Sequence, residues 1–216
     1  RATRRVSAEA QIRAWAVAHQ VQAQILRVPG IYAGDRLPLD RITRQSPALV
    51  KNHDVFTNHI HADDLAKRLA FAKAQLIAQQ NPQAIVIGSD QVAWREHAPH
   101  DFIGKPLNFE NAKAQLTANS GKTVFFSTAL SVQCLEKSFE HTLVEHYQVK
   151  FRNLNQAEIE RYVLLDQPLH CAGSFKCESL GISLFEKMIG QDQTTLMGLP
   201  MIQLCHILRQ LDLQIP

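Results

Sequence analysis

The chain has 216 residues, 45% of them apolar and 20% charged, and 23 Lys+Arg against 20 Asp+Glu leave a net charge of +3. That is enough chain to bury a sizeable core as one large domain or two small ones, and the composition is that of a globular protein. No apolar run reaches the roughly 18–20 residues that span a bilayer, no signal-like apolar core follows Arg1, and four cysteines without CxxC spacing are expected as reduced thiols in the cytoplasm.

Ser7 suits the N-cap of a helix reaching His19, with Ile12, Trp15, Ala16 and His19 on one face. Ala23 to Val28 is a short strand stopped by Pro29 and Gly30. Residues 31–58 are polar and punctuated by proline, which predicts a long loop with one short helix. His61 to Gln80 is rich in Ala and Leu, with Asp63 and Asp64 where a helix dipole favours them, and Asn81-Pro82 ends it. The apolar run Ala84 to Gly88 has the length of a buried strand. A helix is expected from Asn108 to Asn119, then a turn at Ser120-Gly121. Lys122–Gln133 and Thr142–Phe151 alternate as paired strands do. Asn155 with Glu158 is an N-cap signal for a helix to about Leu165, and Leu199 to Leu211 is a closing amphipathic helix. Alternating helices and strands argue for an α/β or α+β fold.

Chemistry is most concentrated in Ile87-Gly88-Ser89-Asp90-Gln91, placed by this reading at the exit of a buried strand, where α/β sheets collect ligands. Gly88 and Ser89 let a ligand approach the backbone, and Asp90 can bind a divalent cation or take a proton from water. A turn residue or a helix cap fits the same Asp equally well. In Gly104-Lys105-Pro106, Lys105 is a fixed cation suited to phosphate, although a surface turn is the plainer account of three residues. Cys171 to Glu178 sets small residues before Lys176 and Glu178, and Glu178 can accept hydrogen bonds from a guanine edge. His59, His61, Asp63 and Asp64 have metal-ligand chemistry, but a structural role is the expectation; Cys171 beside His170 is expected as a core or pocket-wall thiol, the two pointing to different faces.

Taken together and in order, these segments resemble the Maf family of nucleotide pyrophosphatases. The strings are Arg68-Leu-Ala with Lys73-Ala, then IGSDQV, GKPL, SGKTV, FRNLNQAEIERYV, HCAGSFKCE, GISLFE and MGLP, across roughly residues 65–213. The resemblance implies hydrolysis of a nucleoside triphosphate to its monophosphate and pyrophosphate. It makes Asp90 the proton acceptor, Gln91 and Glu178 the residues that tune base choice, and Lys73 and Lys105 phosphate contacts. The SDQ and FKCE combination is similar to the branch acting on 7-methyl-GTP, whose cationic base suits a carboxylate at Glu178. It further implies a divalent cation (Mg²⁺ or Mn²⁺), a small nucleotide substrate rather than nucleic acid or membrane, a homodimer, and an ITPase-like mixed, twisted sheet flanked by helices.

The family pattern opens with a strand and an LASxSPxRR loop that grips the triphosphate, and neither is found here; Arg4-Arg5 lacks the strand and the Ser-Pro before it. Instead, Arg27 to Leu39 and Thr57 to Ala66 look like the C-terminal half of an NAD-dependent epimerase or short-chain dehydrogenase. That piece is expected to be silent, because it has neither the glycine-rich dinucleotide loop nor a YxxxK pair. Charge changes at the same place: residues 1–68 carry 11 Lys+Arg against 6 Asp+Glu, and residues 69–216 carry 12 against 14. The expected organisation is therefore an epimerase-like fragment at 1–64 joined, within a helix, to a Maf-like domain at 65–216 without its usual first strand. A divergent Maf protein with a drifted N-terminus is the alternative origin. The alternative to a working enzyme is a chimera that holds nucleotide weakly or not at all.

Overall fold

The computed structural model describes residues 61–96 and 102–215. The expected helix Ser7–His19, the strand Ala23–Val28, the loop 31–58, and with them nearly all of the 1–64 segment and His59, lie outside the described residues.

Helix α1 (Ala62–Gln80) starts where the sequence indicates: the His61 ring accepts the Asp63 N–H, and Asp63 and Asp64 occupy the first turn. Its buried residues are Ala62, Ala66, Ala70, Ala74 and Ala78, a ridge with a step of four. A ridge of methyl groups lets the helix approach a sheet far more closely than leucines would. Strand β1 (Val86–Arg95) uses that closeness, since a Cβ on Gly88 would lie 2.3 Å from the Ala70 carbonyl oxygen.

After β1 come α2 (Phe109–Asn119), β2 (Thr123–Cys134), β3 (Phe139–Phe151), α3 (Gln156–Asp166), β4 (Phe185–Ile189), α4 (Gln193–Leu196) and α5 (Met201–Gln210). The sheet has the order β1-β2-β3-β4 with every described pairing antiparallel. This corrects three expectations. The described sheet is not mixed, and β1 does not end at Gly88 but continues through Arg95, so Ser89, Asp90 and Gln91 lie inside a strand. Nor is the Ala84–Gly88 run buried throughout, because Ile87 is exposed. A β-branched apolar run has the same appearance in a parallel or an antiparallel sheet, so composition could not decide.

Local signals fared better. Asn108 caps α2 through its side chain, and Asn155 and Glu158 form a reciprocal capping box at α3, with hydrogen bonds of 3.0 and 2.9 Å. Gly121, at φ +67°, makes the turn into β2.

Period-two alternation along β2 sends Ser127, Ala129, Ser131 and Gln133 toward α1, and Phe126, Thr128, Leu130 and Val132 to the other face. On that second face the main core gathers Phe126, Phe151, Ile159, Val163, Phe175 and Leu184 beneath α2 and α3, while α5 packs Leu204 and Ile207 on Leu130 and Val132. The result is three layers: α1, then the sheet, then the remaining helices.

Candidate active site

Neighbouring residues of a strand point to opposite faces. On β1, Gly88, Asp90 and Val92 face α1, whereas Ser89, Gln91 and Ala93 face the main core. Residues from both faces nevertheless line one cavity of about 560 Å³, a size that suits a small-molecule ligand. The cavity therefore passes around β1. Its walls include Lys73, Asp90, Gln91, Lys105 and Glu178, so all five residues singled out in the sequence meet in one space.

On the α1 side, Asp90 is almost fully buried, and Lys73 donates its ammonium to Asp90 Oδ1 and, at 3.3 Å, to the Ser89 carbonyl. Lys73 reaches Asp90 because it projects from α1 between Ala70 and Ala74, the turn that rests on Gly88. The other oxygen, Oδ2, is buried without a hydrogen-bond partner among the described residues. Burial pushes the Asp90 pKa above the usual carboxylate value, and the charges of Lys73 and Lys105 pull it back only in part. A buried carboxylate with a raised proton affinity and one unengaged oxygen is equipped to accept a proton or to ligate a cation.

On the core side, Gln91 is engaged rather than open. Its amide nitrogen donates to Thr128 Oγ1 at 2.8 Å and to the carbonyls of Thr195 at 2.9 Å and Leu196 at 3.3 Å. Ser89 Oγ lies 2.7 Å from the carbonyls of both Ala129 and Gly198. Together these two side chains bind the 195–198 segment, including the Met197-Gly198 part of the MGLP string, to β1 as a cavity wall.

The turn carrying Glu178 is held from several directions. Phe175 makes edge contacts with Phe126, Phe151 and Phe185 at centroid distances of 5.6, 5.7 and 4.8 Å. The Tyr162 hydroxyl accepts the Lys176 N–H at 3.1 Å and donates to Asp166 at 2.9 Å, and Ser179 donates to the other Asp166 oxygen at 2.6 Å. Lys176 is not a cavity residue: its ammonium donates to the Asp166 carbonyl at the end of α3, where a cation meets the negative end of the helix dipole. Burial and the neighbouring Glu178 charge push the Cys177 thiol up to about 12, so it stays protonated, and it donates to Glu178 at 3.6 Å. His170 and Cys171 both line the cavity, Cys171 as the pocket-wall thiol the sequence suggested.

Contributors that went unread in the sequence include Gln115, Phe126 and Phe175. Phe126 and Phe175 have the appearance of ordinary core residues, and Gln115 is one polar position among several on its helix. The metal-like string at the start of α1 is occupied otherwise, with His61 capping the helix and Asp63 contacting His146 at 2.9 Å. No group of three metal-ligating side chains occurs among the described residues, and no described helix is long and apolar enough to cross a membrane.

The sequence model of the Maf-like protein family matches residues 39–211. Among curated proteins, a nucleoside triphosphate pyrophosphatase of Acinetobacter baylyi is 69% identical over 156 residues, which cover 72% of this chain and 79% of the relative. A 7-methyl-GTP pyrophosphatase of Polaromonas sp. is 48% identical over 145 residues (67% of this chain, 65% of the relative). One from Colwellia psychrerythraea is 47% identical over 146 residues, covering 68% of this chain and 72% of the relative.

Proposed function

This chain belongs to the family of Maf-like proteins, and on that premise we propose that it hydrolyses a nucleoside triphosphate, preferentially 7-methyl-GTP, to the monophosphate and pyrophosphate. The observation that carries the reading is the convergence on one cavity of a buried carboxylate, two ammonium groups and a second carboxylate some distance along the wall. The names of the relatives support the reaction class, and the Polaromonas and Colwellia proteins support the methylated guanine.

In this reading the triphosphate lies on the α1 side. Lys73 and Lys105 face its negative oxygens and stabilise the charge that accumulates as the bond between the α and β phosphates breaks. A water attacks phosphorus in that anhydride, its proton passes to Asp90 Oδ2, and pyrophosphate leaves with the bonding electron pair. Lys73 keeps Oδ1 occupied, so the proton has one oxygen to go to. The raised pKa of Asp90 makes it a stronger base than an exposed Asp.

The base lies around β1 against Phe175, Cys177 and Glu178. Glu178 accepts from the guanine edge, and its charge favours a base made cationic by methylation. Gln91 acts on the base chiefly through the wall it holds, because its amide hydrogens are already engaged.

A divalent cation, Mg²⁺ or Mn²⁺, belongs to the same reading. The residues fit it, because Asp90 offers a carboxylate oxygen without a partner among the described residues, and such ions typically take one or two carboxylates plus substrate phosphates. Oδ2 can serve the ion or the proton but not both at once, so the substrate phosphates would hold the ion while Asp90 takes the proton, and the ion would neutralise phosphate charge when bound. A nucleoside triphosphate substrate supports a cytoplasmic location.

The test is pyrophosphate release from 7-methyl-GTP, GTP and dTTP by the wild-type chain and by Asp90→Asn. Loss of the base is expected to lower kcat by about 10²–10⁴-fold with an unchanged far-UV spectrum. A wild-type chain inert toward all three nucleotides, or an Asp90→Asn variant with full turnover, removes the proposal.

A further inference from the structure

The two halves of the cavity are carried by separate segments. Lys105 sits on the loop after β1, and Phe175 to Glu178 sit on the turn after α3. One side chain touches both. Gln115, on α2, donates from Nε2 to the Gly104 carbonyl at 3.1 Å and accepts at Oε1 the hydroxyl hydrogen of Ser174 at 2.5 Å.

The amide can adopt only this orientation. The Gly104 carbonyl has no hydrogen to give, so nitrogen must face it, and oxygen is then left for Ser174. Each contact also lies beside a functional position. Gly104 precedes Lys105, and Ser174 precedes Phe175. Ser174 is fully buried at φ +61°, next to Gly173 at φ +79°, and it does not line the cavity. Its hydroxyl is therefore available to fix the turn rather than to touch a ligand.

Resting on the nucleotide reading above, we propose that Gln115 is a positioning residue that couples the phosphate-binding loop to the base-recognition turn, so that, beside the backbone bond from the Leu107 N–H to the Leu169 carbonyl at 2.9 Å, the spacing of Lys105 from Glu178 is set by this amide. A substrate that seats its base correctly then also meets Lys105 at the right distance from its phosphates. A nucleotide whose base displaces the turn pulls on Ser174, Gln115 and Gly104 in sequence, and the phosphate contact is lost. Base choice is thereby converted into turnover.

The experiment compares wild type, Ser174→Ala, Gln115→Met and the double variant. It measures kcat and KM for 7-methyl-GTP and GTP, direct binding of inorganic pyrophosphate and of 7-methylguanosine, and the thermal midpoint of each protein. Ser174→Ala removes nothing that touches the phosphate side, yet it is expected to weaken pyrophosphate binding about three- to tenfold, the share of one hydrogen bond. Gln115→Met is expected to weaken both probes and to narrow the preference for 7-methyl-GTP over GTP. The double variant is expected to bind pyrophosphate no worse than Gln115→Met alone, because the path is already cut. Unchanged pyrophosphate binding in Ser174→Ala, or additive losses in the double variant, overturns the coupling. A wild-type chain that releases no pyrophosphate but binds both probes sinks the reaction and leaves the coupling to the binding cycle. One that binds neither probe sinks both.

Discussion

Gly88→Ala is the sharpest available perturbation, because the clash it makes is with backbone and not with a flexible side chain. The added methyl would stand 2.3 Å from the Ala70 carbonyl oxygen, 2.9 Å from the Ala74 nitrogen and 3.0 Å from the Ala74 Cβ. Ordinary contact begins at 3.4 Å, so α1 must lift from the sheet by about 1 Å at this turn. Overpacking of that kind costs about 1–3 kcal/mol, which corresponds to a fall of about 2–10 °C in the thermal midpoint for a domain of this size. The consequence for activity is larger. Lys73 projects from the same turn, so lifting it draws the ammonium away from Asp90 Oδ1 and from the phosphate position. Misplacement by about 1 Å can cost about 10²-fold in rate. Thermal or urea unfolding gives the first quantity, and pyrophosphate release from 7-methyl-GTP gives the second. Should Gly88→Ala lose stability and yet keep wild-type kcat, the lysine is not set by helix–sheet contact and the argument fails.

Other expectations follow from the same geometry. The acidic limb of the kcat profile should report an Asp90 pKa above the ordinary aspartate value of 3.8, and Lys73→Met should move it further toward alkaline pH, because a charge that lowers this pKa is removed; an unmoved limb would assign it to another group. Since the native state holds the Asp90 proton more tightly than the unfolded chain, this group's contribution to stability is present at low pH and falls as pH rises from 3.8 through the native value, and Asp90→Asn should flatten that part of the stability curve. Asp166→Ala removes the acceptor of both Tyr162 and Ser179 and should cost about 1–3 kcal/mol in urea unfolding. It should also raise KM more than it lowers kcat, since Ser179, which loses its Asp166 acceptor, adjoins Glu178. Glu178→Gln keeps an acceptor but loses the charge, so the preference for 7-methyl-GTP over GTP should shrink about five- to tenfold, the difference between a charged and a neutral hydrogen bond; an undiminished ratio would place base selection elsewhere.

The helix starts were legible in the sequence because a cap is completed within four residues: Asn108 and the Asn155–Glu158 pair require nothing from the rest of the chain. The β2–β3 pairing was legible because apolar and polar positions alternate along both strands. So were Lys73, Asp90, Gln91, Lys105 and Glu178 as chemical candidates, since their residue types and order carried the resemblance. Strand β4 was not read: five residues, Phe185 to Ile189, exposed along most of their length, leave no pattern to detect.

Tertiary structure alone decided how those candidates are used. Adjacent positions such as Asp90 and Gln91 must point to opposite faces, but which face holds the helix and which the core depends on what packs there. The fold put an alanine ridge beneath Asp90, burying its carboxylate and raising its pKa, and put the 195–198 segment over Gln91, engaging its amide. The spacing between Gly104 and Ser174, spanned by the single amide of Gln115, has no local signature at all. Sequence determines side-chain chemistry and the short-range hydrogen bonds that start and stop elements, whereas desolvation and long-range contact depend on segments brought together only when the chain folds.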